Sequence, residues 1–200
     1  MYKRQTKTWY YKSKSIFKGP AFYIERHRSA AKYFINIIEK SHIDVLHANM
    51  MFGDGFICRA ISKTMHVPYV LSVRNTDMNL WFLWKLPWIR HAGYQNLVEA
   101  KAIIFLNQPY RQALLNRLPE RIRDSVETKC LVIPNGINDF WLKNRADREK
   151  RITDKITFVT AGRIEENKNQ VVVAAAINQY KNVHKIKVEY VIVGDCNNEE

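Results

Sequence analysis

The chain has 200 residues, 46% apolar and 26% charged, proportions of an ordinary globular protein that exclude a disordered or low-complexity chain. Its net charge of +13 is concentrated in the first fifty residues, where ten cations meet three acids, and such a surface attracts polyanions, acidic lipid or phosphorylated substrate, or simply solubilises. Cys58, Cys130 and Cys196 lack disulfide or metal-ligand spacing and argue for a reducing compartment. No apolar run approaches the roughly 20 residues of a membrane span, and residues 1–20 lack the apolar stretch of a secretory signal.

The predicted elements alternate. Ala30, Phe34, Ile37 and Ile38 recur at helical spacing ahead of a first apolar run at 43–47. A helix over 55–65 must stop before Val67-Pro68, and a strand over 69–73 follows. Pro87 opens a helix reaching about residue 100, then come a strand at 102–106, a helix over 109–118 and a strand at 130–133. A polar boundary between Pro134 and Asp154 precedes a strand at 156–161, a helix over 169–180 and a strand at 188–193. Continuous apolar runs suit strands covered on both faces, and the alternation means βαβ units in an open parallel sheet. The expected architecture is α/β: a Rossmann-like first domain over 1–140, a linker over 141–154, and the first βαβ unit of a second Rossmann-like domain over 155–200. The stretch after the boundary is too short to bury a core alone, since domains below about 40–60 residues are marginal.

The segment richest in chemistry is Thr160-Ala161-Gly162-Arg163 through Lys168-Asn169. A strand ends at a glycine, which lets a ligand approach the backbone at the strand's carboxyl end. Arg163 can grip phosphate as a fork and Lys168 as a point charge, while an opening helix attracts anions. Together they form a diphosphate cradle; the plainer alternative is a strand-turn-helix with two exposed cations. His47 and Asn49 are two apart and share one face near a strand end. Arg74 and Asp77 follow the next strand, and Gly194-Asp195 the last. Pro134-Asn135-Gly136 reads as a sharp turn with a residue at positive φ. Residues 81–90 are rich in tryptophan with flanking cations, which suits either core packing or a lipid boundary.

Several motifs are missing. There is no Walker A sequence, no Gly-x-Ser-x-Gly elbow and no Asp-x-Asp pair for a metal-bound nucleotide. Gly53-Asp54-Gly55-Phe56-Ile57-Cys58 approaches a dinucleotide fingerprint, but Cys58 stands where the third glycine belongs.

Read in order, six pieces resemble family 4 of the retaining glycosyltransferases, which have the GT-B fold. They are Asp44-Val45-Leu46-His47-Ala48-Asn49; His66-Val67-Pro68-Tyr69 with Arg74-Asn75-Thr76-Asp77; Ala102-Ile103-Ile104-Phe105; Val132-Ile133-Pro134-Asn135-Gly136-Ile137; Ala161-Gly162-Arg163 to Lys168-Asn169; and Val191-Ile192-Val193-Gly194-Asp195. The resemblance implies two Rossmann-like domains with an active site in the cleft between them, a nucleotide-diphospho-sugar donor bound mostly to the second, and an acceptor to the first. It implies that Arg163 and Lys168 hold the donor diphosphate as it leaves, so that neither metal nor cofactor is needed, with Gly162, Gly194 and Asp195 beside it. His47 or Asn49 would contact the transferred sugar, and Arg74 and Asp77 are acceptor-side candidates. The family's glycine-rich loop after its first strand and its spaced pair of donor-gripping glutamates have no counterpart, since Glu199 and Glu200 are adjacent. The expectation is therefore an internal fragment of the gene, cut at both ends and inactive alone.

The favoured function is transfer of a sugar to a glycan or lipid-linked acceptor, with retention, in bacterial surface polysaccharide synthesis. The expected location is cytoplasmic, with peripheral contact at the inner face of the plasma membrane and no specific nucleic acid partner. The alternatives are a non-catalytic basic module binding acidic lipid or nucleic acid, and an oxidoreductase using the Gly53 near-fingerprint.

Overall fold

A computed structural model describes residues 11, 22–38, 42–79, 84–144 and 155–195. Most of the basic first twenty residues, the tryptophan run at 81–83, the linker stretch 145–154, Cys196 and the Glu199–Glu200 pair lie outside the described residues. The chain divides into two compact units, Met1–Gly136 and Ile137–Glu200.

In the first unit, helix α1 (Tyr23–Ile38) leads to strand β1 (Leu46–Ala48), helix α2 (Gly53–Met65) and strand β2 (Tyr69–Val73). Helices α3 (Asn75–Asn79) and α4 (Pro87–Glu99) precede strand β3 (Ala102–Phe105). Helices α5 (Gln108–Leu115) and α6 (Glu120–Glu127) precede strand β4 (Cys130–Val132). The four strands pair in chain order, all parallel, in the register Leu46↔Tyr69, Val70↔Ala102 and Ile103↔Cys130. Every connection between them runs through helix, as parallel neighbours require. This is the α/β, Rossmann-like class expected.

The core sits on the central strands. Leu71, Val73, Ile103 and Phe105 are buried against Met51, Phe52, Ile89, Leu97 and Leu114. A smaller cluster of Ala31, Ile38 and Ile61 fastens α1 to α2. Gly93 is where α4 closes on this core: a Cβ there would lie 2.5 Å from Phe52 Cε1 and 3.0 Å from Met51 Cε.

Several bounds differ from the sequence reading. β1 covers 46–48 rather than 43–47 because its partner β2 begins only after Pro68, which has no N–H to give a ladder; Leu46 N–H instead donates to the Pro68 carbonyl. α2 starts at Gly53 and ends at His66 in the left-handed conformation, φ 57°. α5 stops at Leu115, because the chain turns ahead of Pro119, and the polar helix α6 follows where none was read. In α6 only Ile122 and Val126, four apart, face the core. The expected turn at Pro134-Asn135-Gly136 is absent. Residues 133–138 carry no turn and Gly136 has no positive φ; the extended path instead delivers Asn138 as N-cap of helix α7 (Asp139–Lys143).

The second unit contains α7, strand β5 (Lys155–Ala161), helix α8 (Gln170–His184) and strand β6 (Lys187–Val193). β5 and β6 pair in parallel from Lys155↔Lys187 to Ala161↔Val193. α8 runs past Tyr180 because no breaker intervenes before Lys185, which ends it at φ 53°. Gln170 is the one buried residue among those described in this unit. Val159, Val171, Val183 and Val193 are exposed, and a shallow apolar cavity of about 460 Å³ lies between Phe158, Val173 and Tyr180.

Candidate active site

The carboxyl ends of the four strands in the first unit collect polar side chains. His47 and Asn49 are exposed on either side of the buried Ala48, as strand alternation requires. His47 Nε2 lies 2.9 Å from Ser72 Oγ on β2. The Asn49 N–H donates to Asp54 Oδ2 at 3.1 Å, a carboxylate in the first turn of α2 where the helix dipole favours it.

Arg74 precedes α3, and Asp77 is three residues on. The Asp77 side chain reaches back to the Arg74 N–H, the return half of a capping box. Its Oδ2 accepts from Arg74 N and Met51 N, each at 3.0 Å, and its Oδ1 from Phe52 N at 3.4 Å. Asp77 is only 1% exposed, so its carboxylate is enclosed by the chain. Burial pushes this carboxyl above the usual range, while the three N–H groups pull against that shift by favouring the charged form. The half-buried Arg74 extends Nη1 to Asn135 Oδ1 at 3.4 Å, linking the ends of β2 and β4. Tyr110 Oη donates to Asn75 Oδ1 at 2.7 Å, and Asn107 caps α5 by accepting from Tyr110 N. Trp84 Nε1 donates to the Asp77 carbonyl at 2.6 Å, and its ring lies edge-on to Phe52 with the Arg117 guanidinium 5.2 Å from its centroid. Trp88 is 49% exposed.

α1 brings Tyr23 and His27 over the start of α2: a Cβ on Gly53 would lie 3.3 Å from His27 Nε2 and 3.6 Å from Tyr23 Oη. Burial, reinforced by the charges of Asp77 and Asp54, pushes the Tyr23 hydroxyl up to about 12. Burial holds His27 below its usual value, so it is a neutral imidazole near pH 7. The near-fingerprint at Gly53 thus forms the first turn of a packed helix.

In the second unit the loop after β5 carries the predicted cradle. Gly162 takes φ 152°, a conformation that suits glycine. The β5–β6 ladder continues past both strands: Gly162 N donates to the Val193 carbonyl at 2.9 Å and Ile164 N to the Asp195 carbonyl at 3.0 Å. A Cβ on Gly194 would lie 1.8 Å from the Gly162 carbonyl oxygen, so only glycine fits there. The structure therefore joins Gly162, Arg163, Gly194 and Asp195 in one backbone cluster. Lys168 closes a 3₁₀ turn (Glu166–Lys168), and the buried Gln170 donates Nε2 to the Arg163 carbonyl at 2.7 Å. Arg163 and Lys168 are exposed, and neither is in an ion pair among the described residues. The loop's small cavity, about 270 Å³, is lined by Ile164, Glu165, Glu166, Asn169, Gln170 and Val171, so the two cations stand outside it. Among the described residues no group of three His, Cys, Asp or Glu side chains gathers as a metal set.

Sequence reading missed Tyr23, His27, Tyr110 and Gln170, and gave Ser72 and Asn75, in the polar segment 72–77, no role of their own. Ser72 had a signal: it is the polar residue inside an otherwise apolar strand run. Tyr23 and His27 are four apart on one helix face, but nothing local says what that face covers.

Residues 3–139 match the sequence model of Glycosyltransferase Family 4. The chain belongs to that family. As a family 4 glycosyltransferase it is a sugar-transferring enzyme acting between a sugar donor and an acceptor. Its four-stranded parallel sheet with intervening helices is the Rossmann-like arrangement of a GT-B half. The match covers the whole polar rim from His47 to Asn135 and ends before the Arg163 loop. A comparison with curated proteins finds no match. Among the described residues no helix is long and apolar enough to cross a membrane.

Proposed function

We propose that this glycosyltransferase uses a nucleotide-diphospho-sugar as donor and a glycan or lipid-linked acceptor, with retention of anomeric configuration, in surface polysaccharide synthesis. Arg163 and Lys168 bind the donor diphosphate. As the bond from the anomeric carbon to the diphosphate oxygen breaks, negative charge grows on that oxygen, and the two cations stabilise it where it develops. The acceptor hydroxyl oxygen bonds the anomeric carbon and passes its proton to the departing diphosphate oxygen. His47 or Asn49 contacts the transferred sugar, and Arg74 orients an anionic or hydroxyl group of the acceptor. The observation that supports the reading is the Arg163 loop: two exposed cations without carboxylate partners among the described residues, on a backbone held by Gln170 and the Gly162–Gly194 contact, directly after a parallel strand.

Binding of UDP and GDP to the chain, followed by calorimetry, tests this. Arg163→Ala removes a charge-assisted hydrogen bond worth about 1.5–3 kcal/mol and should weaken the nucleotide that binds roughly 10- to 100-fold. In a transfer assay the same variant should lose about 10²–10³-fold in turnover. Binding and turnover within a factor of two of the native chain would overturn the diphosphate role.

A further inference from the structure

We infer that Asp77 is a positioning residue: its buried carboxylate clamps the turn after β1, which carries Asn49 and follows directly on the strand that holds His47, to the turn after β2, which carries Arg74. The carboxylate reaches across 26 residues of sequence to Met51 and 25 to Phe52, and it takes the Arg74 N–H on the same oxygen as the Met51 N–H. A carboxylate buried to this degree is retained at a cost unless its lone pairs are filled, and here three backbone donors from two separate turns fill them. None of the three donors belongs to a regular ladder. Met51 and Phe52 form the turn ahead of α2, and Arg74 sits between β2 and α3, so without Asp77 these N–H groups would lie at the strand ends unpaired.

The clamp has a second layer. Asn96, fully buried on α4, donates Nδ2 to the Met51 carbonyl at 2.9 Å, so Met51 is held by both its N–H and its C=O. Trp84 holds the Asp77 carbonyl through its indole N–H. The turn between Ala48 and Gly53 is therefore fixed from α3 and α4 while its outer edge, Asn49 and Met50, stays exposed. A site built on loops is precise only when its support is rigid, and a misplacement of about 1 Å can cost on the order of 10²-fold in rate.

That His47 and Asn49 face the sugar rests on the proposed transfer; that Asp77 holds their turn does not. Alanine removes every acceptor at this position, whereas the single amide oxygen of an asparagine could still accept from Met51 and Arg74 together. Two measurements test it on the 200-residue chain. In native protein, scalar coupling across the hydrogen bonds should connect the Met51 and Arg74 amide nitrogens to the Asp77 carboxyl carbon. In Asp77→Ala, the Met51 and Arg74 amides should exchange with solvent about 10- to 100-fold faster, the equivalent of one lost charge-assisted bond each, while Ile103 and Phe105 change less than twofold. The His47 ring signals should shift as well, a change that a uniform loss of stability would not produce. Absent couplings, or a folded Asp77→Ala with unchanged Met51 and Arg74 exchange and unchanged His47 signals, would overturn the inference. If the variant fails to fold, the couplings in the native chain decide. A wrong assignment of His47 leaves those couplings in place, so the two ideas fail separately.

Discussion

Replacing Gly194 by alanine probes the diphosphate loop without touching either cation. The new Cβ would lie 1.8 Å from the Gly162 carbonyl oxygen and 2.7 Å from its carbon. Both are backbone atoms, so no side chain can swing aside. To restore even 3.0 Å, the oxygen must retreat by about 1.2 Å. That retreat pulls on two ladder bonds, Gly162 N to Val193 O and Ile164 N to Asp195 O, each worth about 1 kcal/mol net. Adding the strain of overpacking, about 1–3 kcal/mol, the expected loss if both bonds break is about 3–5 kcal/mol in the stability of the β5–β6 pair. Denaturant unfolding read through amide exchange at Gly162 and Ile164 measures it. Because Arg163 sits between those two amides, a loop displaced by this distance should also weaken UDP or GDP binding by tenfold or more. A folded Gly194→Ala that keeps both amides slow, stays within 0.5 kcal/mol of native and binds nucleotide normally would refute the reasoning, both the close contact and its link to the cradle.

Two further outcomes concern the first unit. Gly93→Ala should destabilise it by about 1–3 kcal/mol in urea unfolding, because the methyl meets the ring of the buried Phe52 at 2.5 Å, a ring that also packs edge-on against Trp84. Cys58 should resist iodoacetamide at pH 8 in the native chain and react at once in urea. Burial pushes its thiol from 9.0 to about 12, so the reactive thiolate at pH 8 is scarcer by about a thousandfold, and reactivity should rise only as the pH approaches that value; rapid native alkylation of Cys58 at pH 8 would contradict its burial.

The parallel sheet was legible because its strands are short, apolar and bounded. Tyr69–Val73 and Ala102–Phe105 announce themselves by composition, and Pro87 marks the start of α4 correctly. What local composition cannot carry is pairing. β1 is trimmed to three residues by Pro68 on its neighbour, a residue some twenty positions away. α6 was hidden because only two of its eight residues face the core, too few for a periodic pattern. At the site, the residue types at strand ends could be read, but not which of them face outward. Arg74 and Asp77 look alike in sequence, two charged residues after a strand. The fold leaves one half-buried and encloses the other, because the Asp77 carboxylate finds donors in a turn that the sequence does not place beside it.

The two units stiffen their strand-end turns by different chemistry, and the difference follows from burial. In the first unit a sheet covered by helices lets a carboxylate become nearly inaccessible, so one side chain can gather N–H groups from two turns at low dielectric, where such bonds count for more. In the second unit, with Gln170 the one buried residue among those described, an equivalent ionic clamp would be screened by water. Rigidity there comes instead from steric contact and backbone pairing, with Gly162 against Gly194, two ladder bonds beyond the strands, and the Gln170 amide on the Arg163 carbonyl. High salt therefore separates the two. Raising ionic strength should weaken nucleotide binding at the exposed Arg163 and Lys168 while leaving slow exchange at Met51, Arg74, Gly162 and Ile164 unchanged, since neither a buried carboxylate nor a glycine contact depends on screening. Loss of amide protection at Met51 and Arg74 in salt would mean that the Asp77 carboxylate is reached by solvent ions, contrary to its enclosure.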